Sequence, residues 1–264
     1  PQTDDFKQIL CESKSLGEII TIQQGKTSEI LISTDSRGSY IYNYKQNKFK
    51  RISSLKERMY GMTVDKEGLY WAFSRFTLFR FNDKGNIVAE YHVSPSLFNT
   101  AISCIKSDSK GNLWVGTFEK GLYVYNFGKH TFDSYKPSAN IEMYYVRSIE
   151  QGQNEHEYWV GTEKGLYIMN TANGAIQHYT QSFDENQKSI SDNAVYKIFR
   201  NKQNVFFVGT YFGGVNIAKT KHIGFTAIYP DDKPGFLHGK ALSSMAKAPD
   251  GNIWIATEDA GIAI

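Results

Sequence analysis

The sequence predicts an all-β chain folded as a β-propeller of four-stranded antiparallel blades, five complete and one split or partial. Three observations predict it: a repeat near 45 residues, fixed columns of large and small residues inside the repeat, and the absence of any sustained helical apolar period.

The repeat is anchored on the Thr that closes "WVGT", first at Thr117 and again at Thr162. Its equivalents are Thr34, Phe73, Thr117, Thr162, Thr210 and Thr257, spaced by 39, 44, 45, 48 and 47 residues. That spacing suits a propeller blade, about 40–50 residues, rather than the ~34 of paired-helix repeats. Three residues before the anchor stand Leu31, Tyr70, Trp114, Trp159, Phe207 and Trp254, all large. One residue before it stand Ser33, Ala72, Gly116, Gly161, Gly209 and Ala256, all small. A large side chain wedges between neighbouring sheets, and a small one admits close approach of another chain. A turn follows, ending at Gly38, Gly121, Gly165, Gly214 or Gly261, where a positive φ is expected. Phe73 and Thr77 break the pattern, so the second copy needs a different turn.

After the turn comes an apolar strand such as "LYVYN", in four copies closed by a turn-opening Asn: Asn43, Asn82, Asn126 and Asn170. An outer strand follows, marked by Phe49/Ile52, Phe132/Tyr135, Ile176/Tyr179 and Phe225/Ile228. Another strand precedes each anchor, joined to it by turns like "DSKGN". The units are therefore four strands, A to D, with blades at about 15–53, 58–93, 100–136, 143–180 and 192–230. Residues 5–10 carry an outer-strand pattern with Phe6 and Ile9, and residues 241–264 supply strands A, B and C. These pieces either complete one blade and close a six-bladed ring, or flank blades of a larger one. The chain opens on Pro1 and ends within an expected strand, so both ends read as boundaries inside a longer protein.

Composition excludes several function classes. A net charge of +3 with interspersed signs gives no basic stripe for nucleic acid. No apolar run approaches the ~18 residues of a membrane helix. Cys11 and Cys104 stand 93 residues apart, with no CxxC pair for zinc. The six histidines are scattered, and the sequence holds no HExxH, GxSxG or P-loop. No catalytic residue, cofactor or metal is expected.

The motif [W/F]-[V/I]-[G/A]-T-x-x-x-G-[L/V], with "KGN" or "DGN" ahead of it, resembles the two-component regulator propeller repeat. The resemblance spans the whole chain and is weakest at residues 58–93. It implies a periplasmic sensor region of a hybrid two-component regulator anchored in the inner membrane. In that family two seven-bladed propellers precede an immunoglobulin-like domain, a membrane helix and a histidine kinase, which all lie outside this chain. It therefore favours an arc of a larger propeller over a natural six-bladed ring. The implied partners are the second propeller, the immunoglobulin-like domain and a second copy of the chain; the implied ligand is a glycan-derived oligosaccharide. Alternatives are a protein-interaction scaffold and, more remotely, a propeller lyase.

Recurrent residues serve packing, so binding should reside where the repeat varies, on loops held by a rigid scaffold. The B–C loops and D–A connections share one end of a propeller. There the candidate ligand residues are Arg37, Arg75, Phe76, Phe118, Lys120, Tyr144, Lys164, Tyr211 and Phe212, with Tyr60, Asn99, Tyr145, Asn193 and His238 nearby. Aromatic faces beside cations suit a saccharide, especially an acidic one.

Overall fold

A computed structural model describes residues 16–136, 143–182, 189–219, 225–228, 241–247, 253–258 and 260–263. The outer strand expected at 5–10, Cys11, His222 and His238 lie outside the described residues. What is described is all β, in six antiparallel sheets. Blade 1 holds β1 (Ile19–Gln24), β2 (Glu29–Thr34), β3 (Ser39–Asn43) and β4 (Lys48–Arg51). Blade 2 holds β5 (Gly61–Val64), β6 (Tyr70–Phe73), β7 (Thr77–Phe81) and β8 (Ile87–His92). Blade 3 follows with β9 (Ile102–Ser107), β10 (Leu113–Thr117), β11 (Leu122–Asn126) and β12 (Thr131–Tyr135). Blade 4 has β13 (Val146–Gln151), β14 (Glu157–Thr162), β15 (Gly165–Asn170) and β16 (Ile176–Tyr179). Blade 5 has β17 (Val195–Arg200), β18 (Val205–Thr210), β19 (Val215–Lys219) and β20 (Phe225–Ile228). Blade 6 shows three strands, β21 (Leu242–Lys247), β22 (Ile253–Thr257) and β23 (Gly261–Ala263).

The innermost strands β1, β5, β9, β13, β17 and β21 neighbour one another in that order, and β21 returns to β1. The arc of a larger propeller is thus corrected: six sheets form a ring. The small-residue column accounts for the tight junctions. A Cβ on Gly161 would lie 2.6 Å from Val195 Cγ1 of the next blade, and one on Gly209 2.6 Å from Leu242 Cδ2. A Cβ on Gly116 would meet both Cys104 Sγ at 2.5 Å and Val146 Cγ1 at 2.7 Å. Glycine there lets the first residue of the next innermost strand seat itself against the sheet.

The core therefore lies between blades. Trp159 stacks on Phe206 of the following blade at 3.9 Å, and Trp114 packs on Tyr158 at 4.5 Å. Val146, Val195 and Leu242 are buried at successive junctions, each contributing about 2 kcal/mol by area.

The anchor Thr has a local task. Thr117 Oγ1 donates to the Gly121 carbonyl at 2.9 Å and accepts from the Lys120 amide at 3.1 Å. The same pair of bonds recurs at Thr34, Thr162, Thr210 and Thr257. The closing glycines have positive φ, from 70° at Gly121 to 121° at Gly165. In blade 2, where Phe73 replaces Thr, the Ser74 amide donates instead to the Thr77 carbonyl at 2.9 Å.

Candidate functional site

Antiparallel meanders put the A–B and C–D turns at one end of the ring, the lower, and the B–C and D–A loops at the other, the upper. The lower end is saturated with internal bonds. Asp65 accepts from the Glu67 and Leu69 amides, from Trp71 Nε1 at 2.8 Å, and from both Nε and Nη2 of Arg80. Asp108 repeats this in blade 3, taking the Lys110 and Asn112 amides, Trp114 Nε1 and, from the next blade, the Tyr158 hydroxyl at 2.8 Å. Each oxygen is occupied; these carboxylates hold turns.

The upper end is built from a different device. Five of the six innermost strands carry a β-bulge at the second position, which places Ile20, Ser103, Arg147, Tyr196 and Ser243 opposite no single partner. A bulge re-aims a side chain. On blades 4 and 5 it sets Arg147 and Tyr196 against rings of the upper loops, and blade 2 alone lacks it.

On blades 3 to 5 these bulged residues join the loops into one array. The Arg147 guanidinium lies over Phe118 at 5.0 Å and over Tyr196 at 4.8 Å. Phe118 meets Tyr145 edge-on at 5.9 Å. Tyr196 stacks on Tyr211 at 4.8 Å, and Tyr211 abuts Phe212 at 4.4 Å. Phe212 is 71% exposed and Tyr145 40%. Glu163 pairs with Arg147, yet Arg147 Nε, itself buried, has no hydrogen-bond partner. Burial pushes the Tyr196 phenol up, so it stays a neutral donor.

Of the residues expected from sequence, Phe118, Tyr211 and Phe212 enter this array. Tyr144 and Lys164 pair beside it, the ammonium 5.3 Å from the ring centroid. Arg37, Arg75 and Phe76 lie on blades 1 and 2, and Lys120 is an exposed loop tip; none joins the ring contacts of the array. Arg147 and Tyr196 were not expected, because they sit in strands. Their signal was available: the second position of strand A reads Ile20, Ser103, Arg147, Tyr196 and Ser243, a varying column in a regular repeat.

The remaining chemistry is quiet. Burial pushes the Cys104 thiol up to about 12, so it is protonated at neutral pH and a poor nucleophile. Among the described residues no group of three His, Cys, Asp or Glu could hold a metal ion. Of the four described histidines, His92 lies near Glu90, His156 near Glu155, His130 against the Tyr125 hydroxyl at 3.0 Å, and His178 stacks on Tyr167 at 4.0 Å. No helix among the described residues is long and apolar enough to cross a membrane.

Residues 96–119 match the family model of the two component regulator propeller. No curated protein sequence matches the chain. Two solved structures of the extracellular domain of BT4673 from B. thetaiotaomicron are similar in fold. They are ascribed to a one component system and to a hybrid two component system, with TM-scores of 0.72 and 0.71. Each is 18% identical and covers 92% of this chain and 32% of the other. The extracellular domain ascribed to the hybrid two component system BT3049 of the same organism gives a TM-score of 0.53 at 21% identity, over 90% of this chain and 38% of the other. The chain thus spans about a third of the length of the structures it matches. The stretch from "SLFN" through "WVGTFE", residues 96–119, is thus similar to the two component regulator propeller repeat, and it stands in a six-bladed ring.

Proposed function

We propose that the chain is a noncatalytic sensor propeller from the extracytoplasmic, periplasmic region of a hybrid two-component regulator. Its ligand is a glycan-derived oligosaccharide, bound at the upper end over blades 3 to 5. The observation that carries this reading is the continuous array Tyr145–Phe118–Arg147–Tyr196–Tyr211–Phe212 across three blades. Aromatic faces pack against the apolar faces of sugar rings, and Tyr hydroxyls and an Arg edge serve their hydroxyls. The propeller repeat and the likeness to extracellular domains of bacterial signalling systems support the cellular role. The kinase and membrane anchor belong to the parent protein, outside this chain. A bound saccharide shifts the signalling equilibrium only by its differential affinity for the two states.

Calorimetric titration with a panel of oligosaccharides tests this. Wild-type protein gives saturable heat with at least one of them, and Tyr211→Ala and Phe118→Ala weaken that binding about tenfold or more. Saccharide binding that survives both substitutions unchanged would sink the site, and a panel without any binder would sink the saccharide.

A second reading draws on exposure. Phe212 and Phe76, at 71% and 57%, present apolar surface at the same end. That suits a protein surface, whether the second propeller, the immunoglobulin-like domain or another copy of the chain. A dimer lost on Phe212→Asp would favour it.

A further inference from the structure

The upper loop of blade 5 is held by more than the bonds of its anchor Thr210. Tyr211 and Phe212 end the aromatic array, and Phe212 is 71% exposed, so little packs around its ring to fix it. The backbone does so instead. The Phe212 amide donates to Asp192 Oδ2 at 3.0 Å, and the Tyr211 amide to the Ala194 carbonyl at 2.9 Å. Both partners lie on the connection that enters blade 5 from blade 4.

That connection is itself moored at two adjacent residues. Ile190, 1% exposed, is buried among Trp159, Leu166, Val195 and Phe206. Ser191 is gripped by Asn216 on β19. The Ser191 amide donates to Asn216 Oδ1 at 2.9 Å, while Asn216 Nδ2 donates to Ser191 Oγ at 2.8 Å and to the Val208 carbonyl at 3.3 Å. Asn216 is buried, with both its amide nitrogen and its oxygen engaged. The loop and the connection fit so closely that Gly213 leaves no room for a side chain. A Cβ there would lie 2.5 Å from Ser191 Oγ and 2.9 Å from Asp192 Cβ.

Asparagine departs from its column in the repeat. By its pairing with the residue two before the anchor, Asn216 corresponds to Tyr40, Arg80, Tyr123 and Tyr167. In blade 3 the same position meets the entering connection through rings, Tyr123 lying 4.7 Å from Phe98. Blade 5 has directed hydrogen bonds in place of that apolar contact. A buried polar contact with all its partners specifies one arrangement and stiffens it.

We propose that Asn216 is a positioning residue for the upper site. Through Ser191 and Asp192 it fixes the Tyr211–Phe212 backbone, so that the outer wall of the array is set before a ligand arrives. A wall ordered in advance spares the ligand the cost of ordering it. The effect on binding rests on the saccharide reading above; the effect on the loop does not.

Hydrogen exchange of the Phe212 amide, followed by NMR in the whole chain, tests the loop. Asp192→Ala removes the acceptor and sets the scale. Asn216→Ala should raise the Phe212 exchange rate about tenfold or more. Ser191→Ala, which removes only a hydroxyl and is expected to fold, should raise it about threefold or more. Thr34→Val loosens the corresponding turn of blade 1, far from the array, and should leave the Phe212 rate within about twofold of wild type. A Phe212 rate unchanged in both Asn216→Ala and Ser191→Ala, or raised equally by Thr34→Val, would overturn the proposal.

Calorimetry with the tightest-binding oligosaccharide of the panel tests the consequence for binding. Asn216→Ala should weaken it about threefold to tenfold in the wild-type background, and less than about twofold in a Phe212→Ala background, because it acts through that loop. Equal losses in the two backgrounds would overturn the positioning role. A panel without a binder would sink the saccharide reading, and the exchange rates would still decide whether Asn216 holds the loop.

Discussion

The two ends of the ring use the same residue types to opposite ends. At the lower end an Arg, a Trp and a carboxylate close on one another: Arg80, Trp71 and Asp65 are 5%, 0% and 6% exposed, and Asp65 meets every donor around it. At the upper end Arg147 lies between two half-buried aromatic rings with one buried nitrogen unpartnered, and the outer rings of the array, Tyr145 and Phe212, are exposed. What separates them is completeness. A network that satisfies itself holds the fold, and one left short of a partner is available to something else.

The comparison is broken or sharpened by substitution. Asp65→Ala leaves the buried Arg80 guanidinium with the half-exposed Glu67 as its one carboxylate and should cost about 3–5 kcal/mol, read from urea unfolding midpoints at constant m. A loss under ~1 kcal/mol would show that the lower network is not holding blade 2 together. Thr162→Val removes a buried hydroxyl that both donates and accepts within its turn, and about 1–3 kcal/mol of stability should go with it. Arg147→Gln, by contrast, should change stability by no more than about 1 kcal/mol, since its carboxylate partner Glu163 is itself a third exposed. The same substitution should abolish most saccharide heat in the titration described above. If Arg147→Gln destabilised the fold as much as Asp65→Ala, the upper array would be another structural network and the contrast would collapse.

The sequence carried the fold further than the site, for physical reasons. Repetition exposes packing: Trp114 and Trp159 recur because each stacks on the next blade, and Gly116, Gly161 and Gly209 because each admits a neighbour's Val or Leu. Departures were legible too, as at Phe73, where the missing hydroxyl implied another turn. Closure of the ring was not legible, because it depends on how several junction angles accumulate rather than on any residue. For the site, loop reasoning reached Phe118, Tyr211 and Phe212 but passed over Arg147 and Tyr196. Binding is expected on the variable loops rather than in strands, and a bulge, which re-aims a strand residue, leaves no mark in composition.

The Thr–Gly clip separates shape from content. In five blades the B–C loop is tied off by its two end residues, through one hydroxyl and one carbonyl, and an amide between them binds the same hydroxyl. "DSR", "FEK", "EK", "YFG" and "EDA" are therefore interchangeable inserts in a common socket. A lineage carrying this ring can rewrite its upper surface one insert at a time, with each change altering chemistry while the frame stands still. Chemistry at the upper surface is thereby uncoupled from the frame in five blades, and blade 2 has no such clip.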